Sequence, residues 1–107
     1  MERIIKIDGK ETRLVANGGT PRIYRALFKR DVFGDMSKAI GDDGNINNSE
    51  VFENLAFVMA KQGGLEGYDI DGWLATMDNP TAIIEAVPDI LELWTDTNET
   101  AVDSKKK

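Results

Sequence analysis

The amino-acid sequence predicts a mainly α fold of the α+β class, in which an N-terminal β-hairpin precedes a bundle of four to five helices. Three observations support this prediction. Two short β-rich runs flank an Asp-Gly pair, later segments begin with a capping residue or a proline, and their apolar residues recur at helical spacing. The 107 residues suffice for one domain with one core, which we place at residues 1–96.

The hairpin is predicted for residues 1–16, around the turn Asp8-Gly9-Lys10-Glu11. The run Ile4–Ile7 precedes this turn and Thr12–Val15 follows it, and both are rich in residues that favour strands. A tight hairpin turn requires positive φ angles, which Asp-Gly supplies. Because an isolated hairpin is only marginally stable in water, we expect it to pack on the helices or to pair with another chain.

The helical bundle is predicted for residues 20–96, and its first helix has a clear start. Thr20 is the expected N-cap, and Pro21 follows at the first helical position, where its missing N–H is harmless. We expect this helix to extend to about Ile40, with Gly34 as an end or a bend.

This first helix is predicted to carry two different faces. The apolar face is formed by Tyr24, Leu27, Phe28 and Val32. The other, which we call the basic face, consists of Arg22, Arg25 and Lys29. The helix is therefore expected to pack through one face and to present positive charge on the other.

Capping signals predict three further helices. Asn47 and Glu50 form a capping-box-like start for a regular amphipathic helix, which Gly63-Gly64 ends. Asp69 caps a short helix, and Asp78-Asn79-Pro80 opens the last one. We expect the second of the four helices, which follows Asn47, to be central to the core.

The end of the chain is predicted to be less regular. Pro88 lies within the last helical pattern and would clash with the carbonyl group of Ile84, so we expect a kink or a break there. Residues 97–107 offer no apolar face and end in three lysines. They are predicted to form a disordered tail.

The composition excludes several kinds of chemistry. The chain contains neither cysteine nor histidine, which removes disulfides, thiolate sites, the commonest metal ligand and the commonest general base. No run of about 18 apolar residues suggests a membrane span. We therefore expect a soluble, non-enzymatic protein without a catalytic, cofactor or metal site.

Charge is distributed unevenly along the chain, although the net charge is only -6. Residues 1–40 hold nine Lys/Arg and five Asp/Glu, whereas residues 41–104 hold one lysine and fourteen acids. Two interpretations are open. Either the two halves fold together and neutralise each other, or neighbouring copies associate head to tail through opposite charges.

A protein interface is predicted at five residues. The basic face on the first helix can bind a protein, and the acidic remainder of the chain makes a nucleic-acid partner unfavourable. Trp94 and Leu91 lie near the end of the last apolar pattern. A tryptophan on an apolar helical face is more often a core residue, but tryptophan is also enriched at binding hot spots, so Trp94 is the alternative interface anchor. The candidate interface residues are Arg22, Arg25, Lys29, Leu91 and Trp94.

Several phrases, read in order, resemble a family. They are Ile7-Asp8-Gly9-Lys10, Thr20-Pro21-Arg22-Ile23-Tyr24-Arg25, Phe28-Lys29-Arg30-Asp31, Asn54-Leu55-Ala56-Phe57-Val58-Met59-Ala60-Lys61-Gln62, Asp69-Ile70-Asp71-Gly72-Trp73-Leu74 and Ile90-Leu91-Glu92-Leu93-Trp94. The series is similar to the small tail assembly chaperones of long-tailed siphophages and prophages of Gram-positive bacteria.

The resemblance implies a role in virion morphogenesis without catalysis. Such a chaperone binds the aggregation-prone tape measure protein, keeps it soluble while tail tube subunits assemble, and self-associates. It acts in the host cytoplasm, is absent from the mature virion, and is often also made in a longer, frameshifted form.

Two other functions remain open from the residues alone. The chain is alternatively a small acidic regulator or inhibitor that binds a host protein. The second alternative is a nucleic-acid binder that uses the basic face of the first helix.

Overall fold

A computed structural model describes the backbone of residues 1–106 and the side chains of residues 1–98. Two strands are followed by five helices, which confirms the predicted fold class of an N-terminal hairpin and a helical bundle. None of these helices, within residues 1–106, is long and apolar enough to cross a membrane. In chain order the elements are β1 (Glu2–Ile7), β2 (Lys10–Val15), α1 (Thr20–Phe28), α2 (Val32–Ala39), α3 (Ser49–Gln62), α4 (Ile70–Ala75) and α5 (Ala82–Lys106).

The antiparallel hairpin forms as predicted. Asp8 and Gly9 make the two-residue turn with φ angles of 57° and 76°, as a type I′ turn requires. Strand residues alternate between two faces, and the face that carries Ile5, Ile7 and Leu14 is buried in the core. The hairpin is therefore held by packing against the helices.

Helix α3 is central to the core, as expected. It contacts β2 and all four other helices. Most of its own side chains, from Val51 to Ala60, are buried by these contacts. The predicted cap is displaced by one residue, because the N-cap is Asn48 and not Asn47. The Asn48 side chain accepts a hydrogen bond from the Glu50 backbone N–H at 3.1 Å, which satisfies one free donor of the first turn.

The junction between the hairpin and α1 differs in detail from the prediction. Gly19, not Thr20, occupies the N-cap position, and Thr20 is the first residue of α1. The buried Thr20 hydroxyl instead accepts a hydrogen bond from Asn17 N and donates one to Gln62 Oε1, at 2.9 and 2.6 Å. Thr20 therefore ties the start of α1 to the end of α3.

The prediction of one helix from Pro21 to Ile40 is wrong. Lys29 adopts a left-handed conformation with φ 59°, which ends α1. Asp31 then caps α2 by accepting hydrogen bonds from the backbone N–H groups of Phe33 and Gly34. The break thus falls before Gly34, because a capping aspartate starts a new helix there.

A buried polar network fixes the corner between α1 and α2. The Tyr24 hydroxyl donates a hydrogen bond to Asp35 Oδ2 at 2.8 Å, and Arg30 donates to both carboxylate oxygens at 2.8–3.0 Å. Burial and the Asp35 contact raise the pKa of Tyr24, which therefore stays protonated. The network pairs the exposed Arg30 guanidinium with the buried Asp35 carboxylate.

The last helix starts later than predicted and does not break at Pro88. Asp8 accepts hydrogen bonds from the backbone N–H groups of Asp78 and Asn79, and residues 78–81 form a bend and a turn before α5 begins at Ala82. The helix then runs through Pro88, although proline cannot donate the usual hydrogen bond. Buried neighbours such as Val87 and Ile90 hold this turn of the helix in place.

Helix α5 also continues into the range predicted as a disordered tail, 97–107. Thr97 Oγ1 donates a hydrogen bond to the Leu93 carbonyl at 2.9 Å. Thr97 is therefore helical, although it was predicted to begin the disordered tail. The backbone remains in α5 as far as Lys106. The side chains of 99–107 lie outside the described part, where the prediction of a lysine-ended tail stays a prediction.

Gly63, which caps the end of α3, is expected to tolerate no side chain. A Cβ atom at Gly63 would overlap the Arg13 backbone carbonyl, because β2 passes directly over this residue. Gly63→Ala should therefore lower the free energy of unfolding by about 1–3 kcal/mol in urea denaturation. Gly18→Ala is the matched control, since nothing lies within 4 Å of its added Cβ. Equal stability of the two variants would contradict this close packing.

Stability should depend on pH through Asp35. The hydrogen bonds from Arg30, and then that from Tyr24, lower the pKa of this carboxyl. Ionised Asp35 therefore stabilises the fold above the ordinary carboxyl pKa, and this stability is lost as the pH falls through the lowered pKa.

Asp35→Asn should lower the free energy of unfolding by about 1–3 kcal/mol at neutral pH. It should also make the loss of stability below about pH 4 shallower, measured by urea denaturation across pH. Asp42→Asn is the control, because Asp42 is exposed and forms no hydrogen bond within the described part of the chain. An unchanged pH profile in Asp35→Asn would rule out this role.

Candidate protein-binding surface

The structure places the three residues of the basic face together on α1. Arg22, Arg25 and Lys29 are exposed, and with Ala26 they line a shallow depression of about 370 Å³. Among the side chains of residues 1–98, none of the three forms an ion pair. The basic face is therefore free to attract an acidic partner.

Ion pairing inside the fold leaves most of the charge asymmetry in place. Among the described side chains, Arg3 alone pairs residues 1–40 with the acidic remainder, contacting Glu92 and Asp96 on α5 at 3.1 Å. The other two pairs, Arg13 with Glu2 and Arg30 with Asp35, lie within residues 1–40. Among the side chains of residues 1–98, direct ion pairs between the two halves therefore involve a single basic residue.

An apolar groove lies beside the basic face, between α1, α3 and the start of α4. Its volume is about 320 Å³, and two apolar side chains on its rim are largely exposed: Leu27 at 44% and Tyr68 at 46%. Exposed apolar side chains that line a concave surface are typical of binding sites. The groove is lined by Leu27, Phe28, Phe57, Lys61, Tyr68, Asp69 and Ile70.

The groove combines an aromatic wall with charged edges. Lys61 Nζ lies 5.5 Å from the centre of the Phe57 ring, a favourable cation–π geometry. Asp69 on the other edge accepts a hydrogen bond from Gly72 N as the cap of α4. This arrangement can take an apolar side chain of a partner and contact polar groups around it.

Trp94 and Leu91 occupy a different surface. Trp94 is buried, with 9% of its surface exposed, and the exposed Phe33 ring covers it at a centroid distance of 5.5 Å. Leu91 is half-buried beside the core. Because α1 and α5 do not contact each other within the described residues, the five predicted interface residues form two separate groups.

The sequence interpretation missed the groove, since it assigned Leu27 to the apolar face of the first helix. Tyr24 and Phe28, four residues apart, face α3, whereas Leu27 lies beside this line and remains exposed. Tyr68 carried a usable signal, because an aromatic residue in a glycine-rich connector has few core positions available. Nothing in the pattern indicated that the two side chains would meet.

A second, more polar groove lies between α3 and α4. Arg30, Glu50, Glu53 and Asp71 line it together with apolar side chains, and its volume is about 350 Å³. Burial, followed by the charge of Glu50, raises the pKa of Glu53. No group of three or more potential metal ligands occurs within the described part of the chain.

No protein-family model matches the chain, and neither a curated protein nor a solved structure shows significant similarity to it. A function must therefore be inferred from the basic face, the apolar groove and the ordered phrases of the sequence.

Trp94 and Phe33 should respond differently to truncation. Trp94→Ala removes a buried ring and should lower the free energy of unfolding by about 3–5 kcal/mol. Phe33→Ala removes a ring that is 53% exposed, so its effect on thermal unfolding should be clearly smaller. Equal losses would show that Phe33 belongs to the core and not to the surface.

Proposed function

We propose that this chain is a tail assembly chaperone of a long-tailed phage or prophage. It binds the tape measure protein and keeps it soluble in the host cytoplasm while the tail tube protein assembles. The observation that supports the binding role is the apolar groove, whose exposed Leu27 and Tyr68 lie beside a basic face without ion pairs among the described side chains. The identity of the client and the phage context rest on the resemblance of the ordered phrases to tail assembly chaperones.

The groove fits a long helical client by a known mode of recognition. An amphipathic helix can insert one apolar side chain into a groove while its polar residues contact the rim. The adjacent basic face would attract acidic residues of the client and speed the encounter. A short chaperone that binds through this groove covers one stretch of a long client, and many copies cover the remainder.

Self-association is part of the proposal. Arg22, Arg25 and Lys29 remain unpaired within the described side chains, while exposed acids such as Asp71 and Asp89 lie on other helices. A contact between these unlike surfaces joins copies head to tail. Such a series of copies would match the length of the client better than a single chain.

Co-expression with the tape measure protein of the same genome tests the proposal. The wild-type chain should move most of the tape measure protein from the insoluble to the soluble fraction. Leu27→Asp and Tyr68→Asp should each abolish most of this gain, because a charge in the groove rejects an apolar side chain. The measurement is the soluble fraction on denaturing gels.

A control variant and a stability measurement complete the experiment. Ile84→Asp places the same charge at an exposed isoleucine of α5, outside the groove, and should retain the solubilising effect. Thermal unfolding of each variant shows whether the fold is intact. Precipitation of the tape measure protein to the same extent with and without the wild-type chain would contradict the proposed function.

A further inference from the structure

Strand β1 has an open edge that no other element of the described chain occupies. Met1 and Ala16 exchange two hydrogen bonds, of 2.7 and 2.9 Å, so the odd-numbered residues of β1 form the bonded pairs with β2. The N–H and C=O groups of Glu2, Ile4 and Lys6 therefore face away from β2. Within the described residues these groups form no hydrogen bond.

The other edge of the sheet is closed. On β2 the backbone of Arg13 faces away from β1, and its carbonyl oxygen lies against Gly63 at the end of α3. The Arg13 guanidinium also donates a hydrogen bond to the Gly63 carbonyl at 3.4 Å. A new strand can therefore be added beside β1 but not beside β2.

The solvent face of β1 carries exposed side chains, and within the described chain only Glu2 among them has an ion-pair partner, the exposed Arg13 of β2. Ile4 is 63% exposed, the highest value among the large apolar side chains of the described chain. Glu2 and Lys6 flank it on the same face, two residues away on either side. An apolar side chain at the open edge of a sheet favours association.

This face of β1 is complementary to itself. When two β1 strands run antiparallel with Ile4 opposite Ile4, each Glu2 lies opposite a Lys6. The backbone groups agree with this register, because the same three residues carry the outward N–H and C=O groups on both strands. Shifting the register by two or four residues brings Ile4 opposite a charge or places like charges together.

We propose that β1 is a homodimerisation edge, on which a second copy adds its own β1 antiparallel and in the register that pairs Ile4 with Ile4. The product is a four-stranded sheet in the order β2-β1-β1-β2 with twofold symmetry. The pairing covers the exposed isoleucines and satisfies the open backbone groups. This twofold contact is separate from the head-to-tail contact of the proposed function, and it is independent of the client.

Cysteine cross-linking tests the register directly, because the chain contains no cysteine. In a hydrogen-bonded antiparallel pair the Cα atoms are about 5.5 Å apart, which suits a disulfide. Ile4→Cys should therefore form a covalent dimer rapidly under mild oxidation. Ile84→Cys, at another exposed isoleucine, is the control for random collision. Glu2→Cys alone should form no covalent dimer, but it should cross-link when mixed with Lys6→Cys, because these two positions lie opposite each other in the proposed register.

Charge reversal provides a second test, and because Glu2 also pairs with Arg13 of β2, thermal unfolding of each variant checks that the hairpin is intact. Glu2→Lys places lysine opposite lysine at both ends of the interface and should raise the dimer dissociation constant about tenfold in analytical ultracentrifugation. Adding Lys6→Glu to the same chain restores opposite charges and should restore the dimer. Glu66→Lys, at an exposed loop residue, makes the same net change and should have no effect.

The outcomes separate this inference from the proposed function. A chain that is monomeric at every concentration, or a dimer unaffected by Glu2→Lys, overturns the β1 pairing. So does cross-linking of Ile4→Cys no faster than that of Ile84→Cys. In each case the solubility of the co-expressed tape measure protein still reports on client binding through the groove.

Discussion

The burial of helix α3 on all sides is the constraint on which the rest of this fold depends. From Val51 to Ala60 nearly every side chain is buried, so α3 needs neighbours around its whole circumference. The hairpin and the other four helices supply them, each with a single apolar face. A chain of this length has no second layer to cover the opposite faces of these elements.

Those opposite faces are where function can be located. The outer side of α1 carries the basic face, its edge carries Leu27, and the outer side of β1 carries Ile4. The close contact of Gly63 with β2 closes one sheet edge and leaves the other open. The packing around α3 thus determines which polar and apolar groups are available to a client or to a second copy.

At the corner between α1 and α2, a buried carboxylate decides which basic residue is paired within the fold and which remain available to a partner. Asp35 binds both Tyr24 and Arg30, and it removes one arginine from a basic segment. The three other cations of α1 have no such partner within the described side chains. Of the four basic residues between positions 22 and 30, one is therefore paired with a buried carboxylate, and the other three are exposed without an ion pair among the described side chains.

The sequence by itself determined the features that depend on local chemistry. The Asp8-Gly9 turn, the cap at Asp69 and the end of α3 before Gly63 follow from the backbone preferences of single residues. The strong apolar repeat also identified α3 as the central helix, because such a pattern is stable only when it is buried. The basic face was also predictable, because helical spacing alone brings its residues together.

Only the tertiary structure decided how these parts meet. Packing keeps α5 continuous through Pro88, leaves Leu27 at the rim of a groove and covers Trp94 with Phe33. The Asp35 network joins α1 to α2, and its members come together only when the two helices fold against each other. These outcomes depend on contacts between residues that are distant in sequence or in different elements, and periodicity within one element carries no information about such contacts.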